Sequence, residues 1–241
     1  MNPVVLTLVG LLAGAATGVG GALGVFFRPS ERNLVLGLSL SSGIMLGVTF
    51  LILVPESLKT GFYPSFVGFV IGSLLFFLLE CILPHIHIGE SRNSLPRLGT
   101  LIAIGIAIHD IPEGFGIGSG YGISESFGGT IAIAIILHNL PEGMAVAIPF
   151  HFSGMGKFRT VLISFAAGIS TLVGTLAAFF LLGSFSEKLI HSGLAFAAGA
   201  MFYITVNELI PEAHKYGHTH LVGPGVLAGI LVAFLLTLMG A

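Results

Sequence analysis

Eight apolar runs, each about as long as the hydrocarbon core of a bilayer needs, take up nearly all of this 241-residue sequence. A spanning helix takes roughly 20 mostly apolar residues. Dividing the sequence at its charged and Pro/Gly breaks predicts helices over 3–27, 34–58, 64–83, 98–120, 127–150, 159–183, 189–213 and 221–240. In lipid every backbone N–H and C=O must find a partner inside the protein, so segments of this length have the helix as their outlet. Charged residues make up 8% of the chain, against about 25% in soluble domains, and the mean hydropathy is +1.02. The fold class read here is an all-α polytopic membrane protein, one transmembrane domain over 1–241 with no soluble domain attached.

Seven of the nine Lys and Arg residues fall in the odd-numbered connections between these runs and two in the even-numbered ones. The positive-inside rule then makes the odd connections cytoplasmic and puts both termini outside, in a multi-pass protein of the cell (inner or plasma) membrane. The first run is too long for a signal-peptide core and has no basic residue before it, so it reads as a retained helix. Cys81 is the only cysteine, which excludes internal disulfides and disfavours thiolate clusters. A net charge of -2 argues against a nucleic-acid partner, leaving metal ions and the lipid bilayer as partners, with a homodimer left open.

Inside the fourth and fifth runs the sequence carries one motif twice, Ile108-His109-Asp110-Ile111-Pro112-Glu113-Gly114 and Leu137-His138-Asn139-Leu140-Pro141-Glu142-Gly143. Ionisable groups in a membrane interior cost several kcal/mol each by most estimates, so a duplicated cluster implies a partner that offsets the cost. On a helix His109 and Glu113 share a face, as do His138 and Glu142, with Asp110 and Asn139 about 100° round. If the two helices face each other, two imidazoles and up to three carboxylates converge. That mixture suits Zn²⁺, Fe²⁺, Mn²⁺, Co²⁺ or Cd²⁺, whereas an all-oxygen cage would suit Ca²⁺ or Mg²⁺. Pro112 and Pro141 free the carbonyls of Ile108 and Leu137, which is tolerated at membrane depth only beside a cavity or a partner. A purely structural polar network would not need so many acids. An intramembrane hydrolase would call for H-E-x-x-H or a nucleophile motif, and neither is present, so the chain reads as a non-enzyme.

A second similarity aligns Ser42–Ser57 without gaps on Ala198–Ala213, matching Gly43, Met45, Thr49, Leu53, Pro55 and Glu56 to Gly199, Met201, Thr205, Leu209, Pro211 and Glu212. These segments lie in the second and seventh runs, which cross in opposite directions. The predicted arrangement is 3+2+3: three helices, a central pair, and an inverted copy of the three, the pattern of secondary transporters with a site at the midplane.

At these motifs the sequence resembles the ZIP (Zrt/Irt-like protein) family of divalent metal transporters, most of all its short prokaryotic members. The resemblance runs over essentially the whole chain and rests on the paired H-[ND]-x-P-E-G, on Pro84-His85-Ile86-His87 and on Glu208-Leu209-Ile210-Pro211-Glu212. It implies uptake of zinc first, and of iron, manganese, cobalt or cadmium, toward the cytoplasm through a site between the fourth and fifth helices, assisted by the second and sixth. The metal is then substrate and not cofactor. By position His109, Asp110, Glu113, His138, Asn139 and Glu142 would be ligands, and Met45 a soft contact from the second helix. Two departures stand out. Thr171 occupies the place of a glutamate that completes a second metal position in many members, and Asp110 stands where Asn is common. A metal-selective channel with the same ligands, or a metal-binding membrane sensor that does not transport, are the alternatives.

His85, His87, Glu80 and Glu90 gather at the predicted cytoplasmic end of the third helix, and Glu212, His214, His218 and His220 at that of the seventh, as a metal exit or as ordinary interfacial residues. Glu56 reads as a single exposed acid at the outer end of the second helix, able to attract cations but weak evidence for a site on its own, and His151 and His191 read as surface residues.

Overall fold

The computed structural model of the chain describes residues 2–27, 30–82, 95–182 and 186–240. Among them there is no strand, and the helical segments join into eight rods. These are α1 (Pro3–Phe27), α2 (Glu31–Thr60), α3 (Phe62–Ile82), α4 (Leu95–Ile123), α5 (Glu125–Phe152), α6 (Lys157–Leu182), α7 (Glu187–Lys215) and α8 (Val222–Gly240). All but α4 are long and apolar enough to cross a membrane; α4 has 29 residues and carries the first polar motif. The described rods match the predicted segments to within three residues at each end, and most run longer because capping turns lie outside the apolar run that identifies a helix.

Two local features set the geometry of the centre. Between α4 and α5 only Ser124 intervenes, extended (φ -159°, ψ 160°), its side chain accepting from the N–H of Phe127 to cap α5. This cap forces the two motif-bearing helices into an antiparallel hairpin. The second feature is a pair of wide π-helical turns, Val48–Leu53 in α2 and Thr205–Leu209 in α7. In each, an N–H reaches back five residues, from Val54 to the carbonyl of Thr49 and from Ile210 to that of Thr205. One residue beyond each comes a proline, Pro55 or Pro211, whose ring would otherwise strike the carbonyl four residues back. The two turns occupy equivalent places in the sequence repeat.

Four helices form a tight block in which α1 packs on α5 and α6, and α4 packs on α5 and α6. Around it α2 pairs with α8 and α3 with α7, and the block is reached from α2 through α5 and from α7 through α4. The block is held by backbone contact. A Cβ on Gly143 would lie 1.8 Å from the carbonyl oxygen of Thr17, and one on Gly114 would lie 1.9 Å from that of Thr171. Because Gly114 and Gly143 are equivalent in the duplicated motif, Thr17 and Thr171 are equivalent too. Gly14-x-x-Thr17-x-Val19-Gly20 then aligns with Gly168-x-x-Thr171-x-Val173-Gly174, a likeness between α1 and α6.

Above the hairpin motifs the principal apolar core brings together Met45, Val48 and Ile52 of α2, Ile117 of α4, and Ile131 and Ile135 of α5. On the far side of this layer a cavity of about 420 Å³ opens between the ends of α2, α5 and α8, lined by Glu56, Lys59, Ser124, Phe127 and Thr130 among others. Glu56 and His191 depart from the expectation of surface residues. Glu56 is 8% exposed and His191 2%, because the last turns of α2 pack on the first turns of α7 and enclose both side chains. His151 is half-buried.

Candidate metal site

The two H-x-x-x-E faces meet inside the α4–α5 hairpin. His138 Nε2 lies 3.0 Å from Glu113 Oε2, and His138 Nδ1 lies 3.6 Å from Glu142 Oε1, one turn along α5. Glu113, His138 and Glu142 are each fully enclosed, and each offers a ligand atom within 4.8 Å of those of the other two. None of the four carboxylate oxygens receives a directed hydrogen bond from a described residue, and the same holds for His138 Nε2. Two buried carboxylates without donors are strongly unfavourable unless a cation joins them. An N/O set of this kind holds borderline divalent transition ions.

Each remaining motif residue is turned to a different neighbour. Asp110 Oδ2 accepts a 3.2 Å hydrogen bond from the hydroxyl of Thr171 on α6, while its Oδ1 is buried with no hydrogen-bond partner among the described residues. The structure thus sets Thr171 against the central pair. Asn139 Nδ2 donates to the carbonyl oxygen of Ala13 on α1 at 3.0 Å. His109 is drawn out of the three-ligand cluster to α7, where its Nε2 lies 2.7 Å from Glu208 Oε2. Met45 is buried in the apolar core one turn along α2 from Ser41, on the same face.

Ser41 was not singled out by the sequence. Its Oγ stands 3.0 Å from His138 Nδ1 and 3.1 Å from the carbonyl oxygen of His138. If the hydroxyl donates to the carbonyl it accepts from Nδ1–H, which leaves Nε2, 3.0 Å from Glu113 Oε2, with its lone pair free, the tautomer a metal ligand requires. Ser41 lies among several hydroxyl residues of an apolar run, so nothing in sequence distinguished it from Ser39 or Ser42, which bond their own helix. Glu208 did carry a signal: it is an acid inside an apolar span.

Glu208 is 38% exposed in its side chain and begins a polar track. Its neighbour Asn207 donates to Glu80 Oε2 on α3 at 2.6 Å, and the Tyr203 hydroxyl donates to the same oxygen. Farther along α7, Glu212 pairs with Lys215 at 2.7 Å and His214 Nδ1 bonds the carbonyl of Ile210 at 2.8 Å. The rings of His218 and His220 lie 6.1 Å apart beyond it. His85 and His87 lie outside the described residues, as does Glu90.

Comparison with known proteins matches residues 85–237 to the family model described as ZIP Zinc transporter. A protein named Zinc transporter ZupT from Chlorobium luteolum is 36% identical over 256 residues, covering 96% of both chains. Proteins of the same name from Enterobacter sp. (35% identical; 95% of this chain and 93% of the relative) and Nitratidesulfovibrio vulgaris (34%; 95% and 94%) are similar over the same extent.

Proposed function

Because the chain belongs to the ZIP zinc transporter family, we propose that it carries divalent transition metal ions across the cell membrane into the cytoplasm, zinc first and iron, manganese, cobalt or cadmium with it. The observation that carries this reading is the enclosed Glu113–His138–Glu142 cluster, whose ligand atoms lack other partners and converge within 4.8 Å. Met45, Asp110, Asn139 and His109 are assigned as further contacts made as the ion passes. All eight rods span the membrane in this reading, including α4, whose 29 residues measure about 44 Å as a helix. The 3+2+3 inverted arrangement is supported by the paired π-turns and by the packing. Exchanging α1, α2, α3 and α4 with α6, α7, α8 and α5 maps each major helix contact onto another.

A carrier is favoured over a channel by the difference between the two directions out of the site. On one side lies the apolar layer of Met45, Val48, Ile117, Ile131 and Ile135; on the other, His109 leads to the half-exposed Glu208 and on toward Glu80. One sealed side and one polar side are what alternating access requires. In this reading the polar side is the cytoplasmic exit, with Glu212, His214, His218 and His220 around it. Radioactive zinc uptake into proteoliposomes tests the assignment. Uptake should saturate with concentration, and Glu142→Ala or His138→Ala should abolish most of it while the protein still inserts. Wild-type uptake in a correctly inserted Glu142→Ala protein would overturn it.

A further inference from the structure

A second imidazole and carboxylate face each other far from the central cluster, at the end of the molecule that holds the cavity. His191 Nδ1 lies 2.8 Å from the carbonyl oxygen of Glu187, one turn earlier on α7. A carbonyl only accepts, so Nδ1 carries the hydrogen, and in the neutral ring Nε2 presents a lone pair. Nε2 lies 3.6 Å from Glu56 Oε1 on α2. Two acceptors are thus opposed at a distance too long for a hydrogen bond, with both side chains enclosed between α2 and α7. A zinc-type ion with ordinary bond lengths and a tetrahedral angle separates a ligand nitrogen from a ligand oxygen by roughly 3.4 Å. The backbone carbonyl behind Nδ1 fixes the ring in the way that metal-binding histidines are commonly held.

The other oxygen of Glu56 already holds a cation. Lys59 Nζ sits 2.7 Å from Oε2, and its side chain is 67% exposed, so the ammonium can swing away into water. Glu56 is the one acid among the residues lining the cavity of about 420 Å³. His191 stands behind Glu56 and does not line that cavity, so a hydrated ion would reach the pair past Glu56, and Ser124 and Thr130 add hydroxyls to the wall. On α2, Glu56 is separated from Ser41, which touches His138, by about 22 Å of helix rise, with the apolar layer between them.

We propose that Glu56 and His191 form a low-affinity binding site for a divalent transition cation, completed by water, at the mouth of this cavity, and that Lys59 competes with the cation for Glu56. The inference rests on the transport reading of the central cluster: a site here collects ions on the side of the apolar layer from which they must come. A pair with only two protein ligands and a competing ammonium binds weakly, which lets an ion leave it again.

The test removes the central ligands from the full-length protein (Glu113→Gln, His138→Gln and Glu142→Gln together) and titrates it with Co²⁺, reading the visible absorption that nitrogen and oxygen coordination gives. A weak residual equivalent is expected. It should disappear on adding Glu56→Gln or His191→Gln, and should tighten by about tenfold on adding Lys59→Met, since removing the local positive charge raises cation occupancy. In the otherwise unaltered transporter, Lys59→Met alone should lower the KM for zinc uptake without changing kcat. Residual Co²⁺ absorption that survives His191→Gln would assign it to other histidines and overturn the proposal. So would an unchanged KM in the Lys59→Met protein, which keeps every buried group in place. Loss of all zinc uptake in the unaltered protein would instead overturn the transport reading.

Discussion

At the scale of single residues the site consists of a few ligands whose orientation depends on neighbours from other helices. Ser41 illustrates the dependence: it can fix the His138 tautomer only because α2 packs on α5, and it contributes no ligand atom itself. Loss of such an outer partner typically costs 10–100-fold in metal affinity, so Ser41→Ala should weaken zinc binding by about tenfold, and Ser41→Thr should recover most of it. Histidine ¹⁵N spectra of the metal-loaded protein check the cause, since only the alanine variant should lose the Nδ1–H form of His138. Thr171 yields a second prediction. Its hydroxyl bonds Asp110, and a neutral hydroxyl is a poor substitute for an anion where two ions would otherwise repel each other at low dielectric. Purified protein should therefore hold close to one tightly bound metal, and Thr171→Glu should raise that toward two, as measured by elemental analysis. That His138 and Glu142 share a face of α5 was legible in sequence because i, i+4 spacing on a helix is a local rule. Glu113 joins them because α4 faces α5, whereas His109, which that rule sets on one face with Glu113, turns to Glu208 on α7. Ser41 was not legible, and His191 was read wrongly, because the identity of a neighbouring helix is not encoded in local spacing.

At the scale of helices, the position of each motif is set by backbone contact between glycine and carbonyl. Gly143 on α5 rides on the carbonyl of Thr17, and Gly114 on α4 on that of Thr171. These contacts hold α1 and α6 against the motif-bearing hairpin without any side chain between them, as small residues commonly do in membrane helix packing. A methyl group at Gly143 would overlap backbone that cannot move aside. Gly143→Ala should therefore destabilise the protein by about 1–3 kcal/mol, read as a lower Tm in detergent. Gly105 lies on the same helix as Gly114 but has no atom within 4 Å of the Cβ it lacks, so Gly105→Ala should leave the Tm unchanged or slightly raised. An equal loss in both variants would mean that the close approach does not matter. The glycines of the two motifs were visible in sequence, though not which carbonyl each meets. The π-turns were not. They arise where Pro55 and Pro211 must be accommodated inside a continuous rod, and a proline alone does not say whether a helix kinks, breaks or widens.

At the scale of the whole molecule, the all-helical class and its apolar spans were legible because lipid leaves an apolar run little choice, whereas the pairing of α3 with α7 and α2 with α8 emerges only from the packed structure. The inverted likeness of α2 and α7 anticipated part of it, and the likeness of α1 and α6 became visible only once their carbonyls were seen against equivalent glycines. A nearly symmetric molecule must still be asymmetric in use. Here one end has the Glu56 cavity above an apolar layer and the other has the Glu208 track, so the direction of transport depends on which end faces the cytoplasm. The distribution of basic residues supplies an independent indication, because seven of nine lie in the connections at the end where α3 finishes and α4 begins. Cys81, exposed near the end of α3, is the natural probe for that side, and Ser126, exposed at the start of α5, for the other. In intact cells a membrane-impermeant maleimide should leave Cys81 unlabelled and should label Ser126→Cys in a Cys81→Ser background. Permeabilising the cells should make Cys81 reactive and leave the second result unchanged. The reverse pattern would turn the molecule over, making the Glu208 track the entrance and the cavity beside Glu56 the exit, and the same ligands would then serve export.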